Sequence, residues 1–305
     1  MPDGFEQNKI ALIGVPSSAG ARKVGQEQAP RSLRVAGLLE RLRSSGHEVV
    51  DLGDLTQISY APDEQNPRAQ NLALVLGVIN DVSVAVDSAL EQHAWPLIIG
   101  GDCTITIGVL AALRKQFTSL GMVYLDGDVD LNTPETTPSG IFDGMVLAHV
   151  LGKGDKRLSQ FGSQSPLLEE RNITLFGYSP DAGGIDPVEI EQLQETWMAK
   201  YPLDDIKADV RSSAERALRD LESRTEHFLV HFDVDVIDFD DFPAVDVPHR
   251  PGLTLKQAEE ALNVFLGSRK VVGLVVTEFN AGMDSDGKIA RRLSEIIQAT
   301  LANLA

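Results

Sequence analysis

Short apolar runs rich in β-branched residues alternate along this chain with longer segments of helical periodicity. This alternation is typical of α/β proteins, in which helices cover both faces of a mostly parallel sheet. We therefore predict a three-layer α/β/α fold with a doubly wound sheet of about eight strands. The strands are predicted at Lys9–Val15, Glu48–Leu52, Pro96–Gly100, Met122–Asp126, Asn172–Gly177, Met198–Tyr201, Phe228–Asp235 and Val271–Glu278.

Helical patterns fill the intervals between these strands. Pro30 near the start of one pattern and Asp205 near the start of another are typical N-terminal signals. The chain of 305 residues has no internal repeat, low-complexity tract or linker, so residues 1–305 are predicted to form a single domain. The helices are predicted at Ala29–Ser45, Ala69–His93, Ile105–Phe117, Pro187–Gln194, Ile206–Ser223, Leu255–Leu266 and Ser285–Leu304.

Composition and charge exclude several classes of protein. The net charge of −18 argues against nucleic acid and anionic membranes as partners. We expect no membrane span, because no run of roughly 18 apolar residues is evident. The N-terminus, MPDGFEQNKI, lacks the basic and apolar regions of a secretory signal, and the single Cys103 allows no internal disulfide. These features favour a soluble, cytoplasmic protein.

The run YLDGDVDLNTPETTPSGIFDG, which starts at Tyr124, carries Asp126, Asp128 and Asp130 directly after a predicted strand. In an extended segment, alternate side chains point to the same side. Three negative charges at such short distances from one another are unfavourable unless a cation lies among them. Divalent cations prefer oxygen ligands, so the run predicts a metal site.

Further acids follow other predicted strands. Asp233 and Asp235 end the seventh strand, Glu278 ends the eighth, and Cys103 follows the third. His231 shares the alternating face of Asp233 and Asp235. Any one of these acids is explained equally well as a helix cap or a solvated turn residue, and Cys103 alone favours a small buried residue. Six acids at three strand ends, where ligands bind in such sheets, favour a binding site instead.

Five segments resemble, in order, motifs of the arginase (ureohydrolase) superfamily, which also contains agmatinases and formiminoglutamases. They are IGVPSSAGARKVGQEQAPRSLRVAGLLERL, GGDCT, DGDVDLNTPETTPSGIFDG, HFDVDVID and TEFN. The resemblance covers nearly the whole chain and is closest to arginase-like sequences. It implies a metal-dependent hydrolase that cleaves a C–N bond of a guanidino substrate, arginine or a relative, and releases urea. It also implies two Mn²⁺ ions and a homo-oligomer, a trimer or a hexamer.

The resemblance also implies individual roles. Glu278 would contact the guanidinium group, a charge-assisted interaction. Asp143 stands at the position of the family's proton shuttle, and His231 is a second candidate for that catalytic role. The substrate would be bound by Asn132, Thr137, Ser139 and Asp181. The metal ligands would be Cys103, Asp126, Asp128, Asp130, Asp233 and Asp235, with Asp126 and Asp233 bridging both ions.

The chain departs from the family pattern at the site itself. Cys103, Asp128 and Asp143 each replace a histidine, and the segment PAVDVPHRPG brings Asp246 and His249 near the guanidinium pocket. A soft thiolate weakens the case for manganese and raises iron, zinc or cobalt as alternatives. Two other functions stay open: a hydrolase of a formimino compound or modified arginine, and an inactive relative with altered or absent metal binding.

Overall fold

The computed structural model describes residues 4–6, 8–180, 185–302 and 304. Within this part, eight strands form one sheet, and every pair of neighbouring strands is parallel. The strands are β1 (Lys9–Gly14), β2 (Glu48–Asp54), β3 (Trp95–Ile99), β4 (Leu120–Leu125), β5 (Ile173–Phe176), β6 (Ala199–Tyr201), β7 (His227–Asp233) and β8 (Val271–Thr277). Their order across the sheet is β2-β1-β3-β8-β7-β4-β5-β6, which confirms the predicted sheet.

Helices cover both faces of this sheet. The described helices are α1 (Ala29–Val35), α2 (Leu38–Ser44), α3 (Leu72–Glu91), α4 (Ile105–Gln116), α5 (Val146–Val150), α6 (Lys156–Ser159), α7 (Pro187–Glu195), α8 (Leu203–Ile206), α9 (Val210–Glu222), α10 (Leu255–Leu266) and α11 (Lys288–Leu301). One apolar cluster joins the sheet to α3 and α4, and a second joins it to α1, α2, α9, α10 and α11. The predicted three-layer architecture is confirmed.

The central strands β3, β4 and β8 are apolar at almost every position because both faces of the sheet are covered. In β1, Ile10 and Leu12 belong to one apolar cluster, whereas Ala11 and Ile13 belong to the other. All four side chains are fully buried. Continuous β-branched runs, rather than alternating polar ones, are the pattern that such central parallel strands require.

Several helix boundaries differ from the prediction, and two of these differences have a clear local reason. The predicted helix Ala29–Ser45 is divided into α1 and α2, because Gly37 adopts a φ of 86° between them. Asp205 lies inside the short helix α8 and does not begin the long one. Asp209 caps α9 instead, and its side chain accepts a hydrogen bond from the Ser212 amide at 3.0 Å.

Helix α3 corrects the expectation about membrane spans. By length and composition alone, Leu72–Glu91 is long and apolar enough to cross a membrane, so the prediction that no such run exists was wrong. Core helices of soluble proteins pass the same test. Here Val75, Ile79, Val82 and Val86 are buried in the apolar cluster under the sheet, which accounts for the apolar face of the helix.

The cap of α9 generates a stability prediction. Replacing Asp209 with alanine leaves the Ser212 amide without its acceptor, and we expect a loss of about 1 kcal/mol in the free energy of unfolding. Asp205→Ala is the matched control, since this exposed side chain caps no helix. Urea unfolding followed by circular dichroism measures both variants. Equal destabilisation by the two substitutions would contradict the assignment of Asp209 as the cap.

Candidate metal centre and substrate cavity

The candidate site lies at the carboxyl ends of four neighbouring strands in the middle of the sheet, β3, β8, β7 and β4. Cys103 follows β3, Glu278 follows β8, Asp233 ends β7 and Asp126 follows β4. All four side chains are buried. The strand order therefore brings together residues that are far apart in the sequence, at the edge where parallel sheets bind ligands.

These residues line a cavity of about 240 Å³. The cavity includes every predicted site residue that the structure describes, except His231. Asp181 lies outside the described residues. The lining residues are Arg22, Cys103, Asp126, Asp128, Asp130, Asn132, Thr137, Pro138, Ser139, Ile141, Asp143, Gly144, Ile185, Asp186, Glu189, Asp233, Asp235, Val247 and Glu278.

The aspartates after β4 reach this cavity from a folded loop. β4 ends at Leu125, and the Asp128 amide donates a hydrogen bond of 2.6 Å to Asp126 Oδ1. Asp130 has a left-handed φ of 47°, and its carboxylate accepts a hydrogen bond from the Tyr124 hydroxyl. The prediction that these carboxylates share one side of an extended segment was wrong. The turn of the loop, and not strand alternation, directs them into one cavity.

The first cluster of potential ligands consists of Cys103, Asp126, His231 and Asp233, whose ligand atoms lie within 4.8 Å of one another. The Cys103 thiol donates a hydrogen bond of 2.9 Å to Asp233 Oδ2. Asp126 Oδ2 is buried without a hydrogen-bond partner. Burial, together with the neighbouring carboxylates, raises the pKa of Cys103 and of both aspartates well above their ordinary values.

The second cluster consists of Asp128, Asp235 and His249. His249 Nε2 lies 3.4 Å from Asp128 Oδ2 and 3.7 Å from Asp235 Oδ2. Burial lowers the pKa of His249, but Asp235 and Asp128 outweigh it and raise that pKa to about 11. The sequence offered only a weak signal for this residue, a histidine after a proline in a loop that faces the site.

Glu278 and Asp143 form the part of the cavity next to Cys103. Glu278 has a left-handed φ of 67°, and such a backbone conformation persists only where the surrounding structure holds it in place. Its Oε2 accepts a hydrogen bond from the Gln26 amide, a contact that sequence reasoning missed, and its Oε1 is buried without a partner. Asp143 Oδ1 accepts a hydrogen bond of 2.8 Å from the Cys103 amide. Burial and nearby carboxylates raise the pKa of both Glu278 and Asp143.

His231 lies behind the cavity. Its ring stacks on Tyr124 with centroids 4.2 Å apart, and its Nδ1 lies 2.8 Å from Thr106 Oγ1. Nε2 is 3.5 Å from the sulfur of Cys103. Burial lowers the pKa of His231 to about 3, so the ring is neutral. This geometry favours a role in positioning Cys103, and the predicted proton transfer by His231 stays a prediction.

The segment predicted to bind the substrate forms one wall of the cavity. Thr137 Oγ1 accepts hydrogen bonds from the amides of Ser139 at 3.2 Å and Gly140 at 3.0 Å, which fixes a tight turn. Asn132 Oδ1 accepts a hydrogen bond of 2.9 Å from Thr136. Sequence reasoning missed Arg22, which brings a cation to the same cavity.

The residues present fit divalent metal ions. Carboxylate oxygens dominate the donor set, as hard cations require, and a thiol and an imidazole complete it. Asp126 Oδ2 and Asp128 Oδ1 are both buried without hydrogen-bond partners. Unpaired carboxylate oxygens of this kind are costly unless a cation or a proton neutralises them.

The comparison with known sequences decides the family. The Arginase family profile matches residues 8–302. The chain belongs to the arginase family. An arginase from Bacillus caldovelox is 30% identical over 284 residues, which cover 92% of this chain and 94% of that protein.

Solved structures agree with this assignment. The crystal structure of arginase from Bacillus cereus has a TM-score of 0.88 at 28% identity, and the match covers 97% of this chain and 98% of that one. Formimidoylglutamase from Bacillus subtilis shares the fold, with a TM-score of 0.77 at 18% identity over 98% of this chain and 88% of that one. The chain is thus a ureohydrolase. It belongs to the hydrolases that act on C–N bonds of amidines.

The raised pKa values predict how stability depends on pH when a chelator removes all cations. The ordinary pKa is 3.8 for Asp126 and Asp233 and 4.5 for Glu278, and in the folded state all three pKa values are higher. At a pH above the ordinary values, the folded state therefore binds more protons than the unfolded state. The free energy of unfolding should therefore fall as the pH rises above about 4. Urea unfolding in chelator measures this dependence, which a saturating divalent cation should flatten. Constant or rising stability in chelator would contradict it.

Proposed function

We propose that this protein is a metal-dependent hydrolase that cleaves a guanidino compound, arginine or a close relative, and releases urea. The observation that carries the proposal is the convergence of Glu278, the acidic clusters and the segment from Asn132 to Ser139 on one cavity. The cavity is small and strongly acidic, which suits a small cationic substrate.

Glu278 is proposed to bind the guanidinium group. Its Oε2 is already held by Gln26, whereas its Oε1 has no partner and can accept a substrate N–H. Asn132, Thr137 and Ser139 are proposed to bind the polar end of the substrate, with Arg22 as an added cation for a carboxylate. Asp181, which lies outside the described residues, is kept as a candidate for an amino group.

Two divalent ions are proposed to occupy the cavity. Cys103, Asp126, Asp130 and Asp233 would hold one, and Asp128 and Asp235 would hold the other together with Asp126 and Asp233. When bound, such ions lower the pKa of coordinated water and polarise the substrate. Manganese is proposed from the resemblance, with iron, zinc and cobalt as alternatives because Cys103 is a soft donor.

Asp143 is proposed to carry the proton that the departing amine needs when the C–N bond breaks. It lies among the ligand atoms of Cys103 and Glu278, all within 4.8 Å of one another. Burial, followed by the neighbouring Asp102, raises its pKa well above the ordinary value, which favours the protonated form that proton donation needs. A carboxyl group would thus transfer the proton that a histidine transfers in the family.

A single domain, a homo-oligomer and a cytoplasmic location complete the proposal. The single domain is supported by the family match over residues 8–302. The homo-oligomer rests on the family resemblance, and the location rests on the composition of the chain.

Urea release tests the proposed function directly. Protein loaded with Mn²⁺ should release urea from arginine or another guanidino compound, and Glu278→Gln should reduce kcat/KM by at least about 100-fold, since it removes the charged partner of the guanidinium. Ammonia and formamide are measured in the same assay with formimino compounds. Formamide without urea would contradict the proposal in favour of a formimino hydrolase, and no product from any compound would favour an inactive relative.

The role of Asp143 generates a separate prediction. Asp143→Asn should lower kcat by about 10²–10⁴-fold, because an amide cannot donate the proton. Metal content and melting temperature, measured on the same samples, control for a damaged site. Unchanged kcat at full metal content would contradict the assignment.

A further inference from the structure

We propose that His249 is a ligand of the divalent ion held by Asp128 and Asp235. The imidazole that the resemblance expects at position 128 would thus be supplied by the loop between β7 and α10. This inference rests on the proposed function only in requiring that the cavity binds two ions.

The position of the ring supports the inference. His249 Nε2 lies 3.4 Å from Asp128 Oδ2 and 3.7 Å from Asp235 Oδ2, and the ligand atoms of all three residues lie within 4.8 Å of one another. Three donors at this spacing surround a position that one ion could share. The histidine is 1% exposed, and both its ring nitrogens are buried without hydrogen-bond partners. The ring thus faces two carboxylates without a hydrogen bond to either, and an ion bound between the three groups would satisfy all of them.

The chain also makes room for this ring. A Cβ atom on Gly127 would lie 2.4 Å from Cδ2 of His249, so the residue between Asp126 and Asp128 must be very small. The glycine thus lets the imidazole approach the aspartates after β4 directly.

The backbone of the histidine is held in place as well. The His249 carbonyl accepts a hydrogen bond of 3.0 Å from the Phe239 amide. The next residue, Arg250, lies 4.3 Å above the Phe239 ring and pairs with Asp240. Because these contacts hold the chain at His249 and at the next residue, the donor is positioned before an ion binds.

His231 is the other histidine close to the acidic clusters, and it differs in the respect that matters. Its ring nitrogens face Thr106 Oγ1 at 2.8 Å and the Cys103 sulfur at 3.5 Å, and its ring is stacked on Tyr124. These contacts already satisfy the ring. Among the residues that the structure describes, His249 is therefore the imidazole that faces the aspartates and whose ring nitrogens make no hydrogen bond.

Manganese binding by matched variants tests the inference. Wild-type protein, His249→Gln and His231→Gln are dialysed against Mn²⁺, and bound metal is measured by elemental analysis. We expect two ions per chain in wild type and in His231→Gln. In His249→Gln, the affinity of one ion should fall by at least about tenfold. Unchanged binding in His249→Gln would overturn the inference. The inference would also be overturned if the wild type bound one ion and His249→Gln bound two. In that case a protonated His249 would occupy the place of the second ion in the wild type.

A spectroscopic measurement on the wild type guards against variants that fail to fold. Electron spin-echo spectra of bound Mn²⁺ should show coupling to an imidazole nitrogen that changes when histidine is labelled with ¹⁵N. The coupling should persist in His231→Gln. Its absence from the wild type, or its loss in His231→Gln, would overturn the inference.

Urea release from the same samples separates this inference from the proposed function. Two bound ions with imidazole coupling but no product would count against the activity and leave the ligand assignment standing. Product release with unchanged metal binding in His249→Gln would count against the ligand assignment alone.

Discussion

Mutual repulsion among buried carboxylates determines how the site at the centre of this sheet is built. Asp126, Asp233 and Glu278 meet at the ends of three neighbouring strands, and all are buried. Such a cluster is stable only if cations or protons neutralise it. Two nearby features serve that requirement, His249 among the aspartates and the thiol that donates to Asp233.

The sequence predicted the sheet well because apolar runs buried on both faces have few alternatives to central parallel strands. It also placed Cys103, Asp126, Asp233 and Glu278 at one edge. It could not predict that β3, β8, β7 and β4 would be neighbours, since strand order depends on long-range packing. The resemblance to arginases, and not periodicity, implied that these residues share one metal site.

Failures of prediction cluster in loops, where local geometry outweighs periodicity. The left-handed φ at Asp130 cannot be read from alternation, and Asp209 replaced Asp205 as a helix cap because α8 ends one short turn earlier. Gln26 and His249 reach the site from segments remote in sequence, so their contacts could not be predicted from local sequence patterns. The set of potential metal ligands thus depends more on the loops than on the strands that these loops follow.

The central claim is that these acidic clusters hold two divalent ions. Anomalous X-ray scattering at the manganese absorption edge, from crystals grown with Mn²⁺, tests it most directly. We expect two anomalous peaks in the cavity, one beside Cys103 and one beside Asp128 and Asp235, with Asp126 and Asp233 between them. A cavity without a manganese peak, or a single peak with His249 in the position of the other, would contradict it.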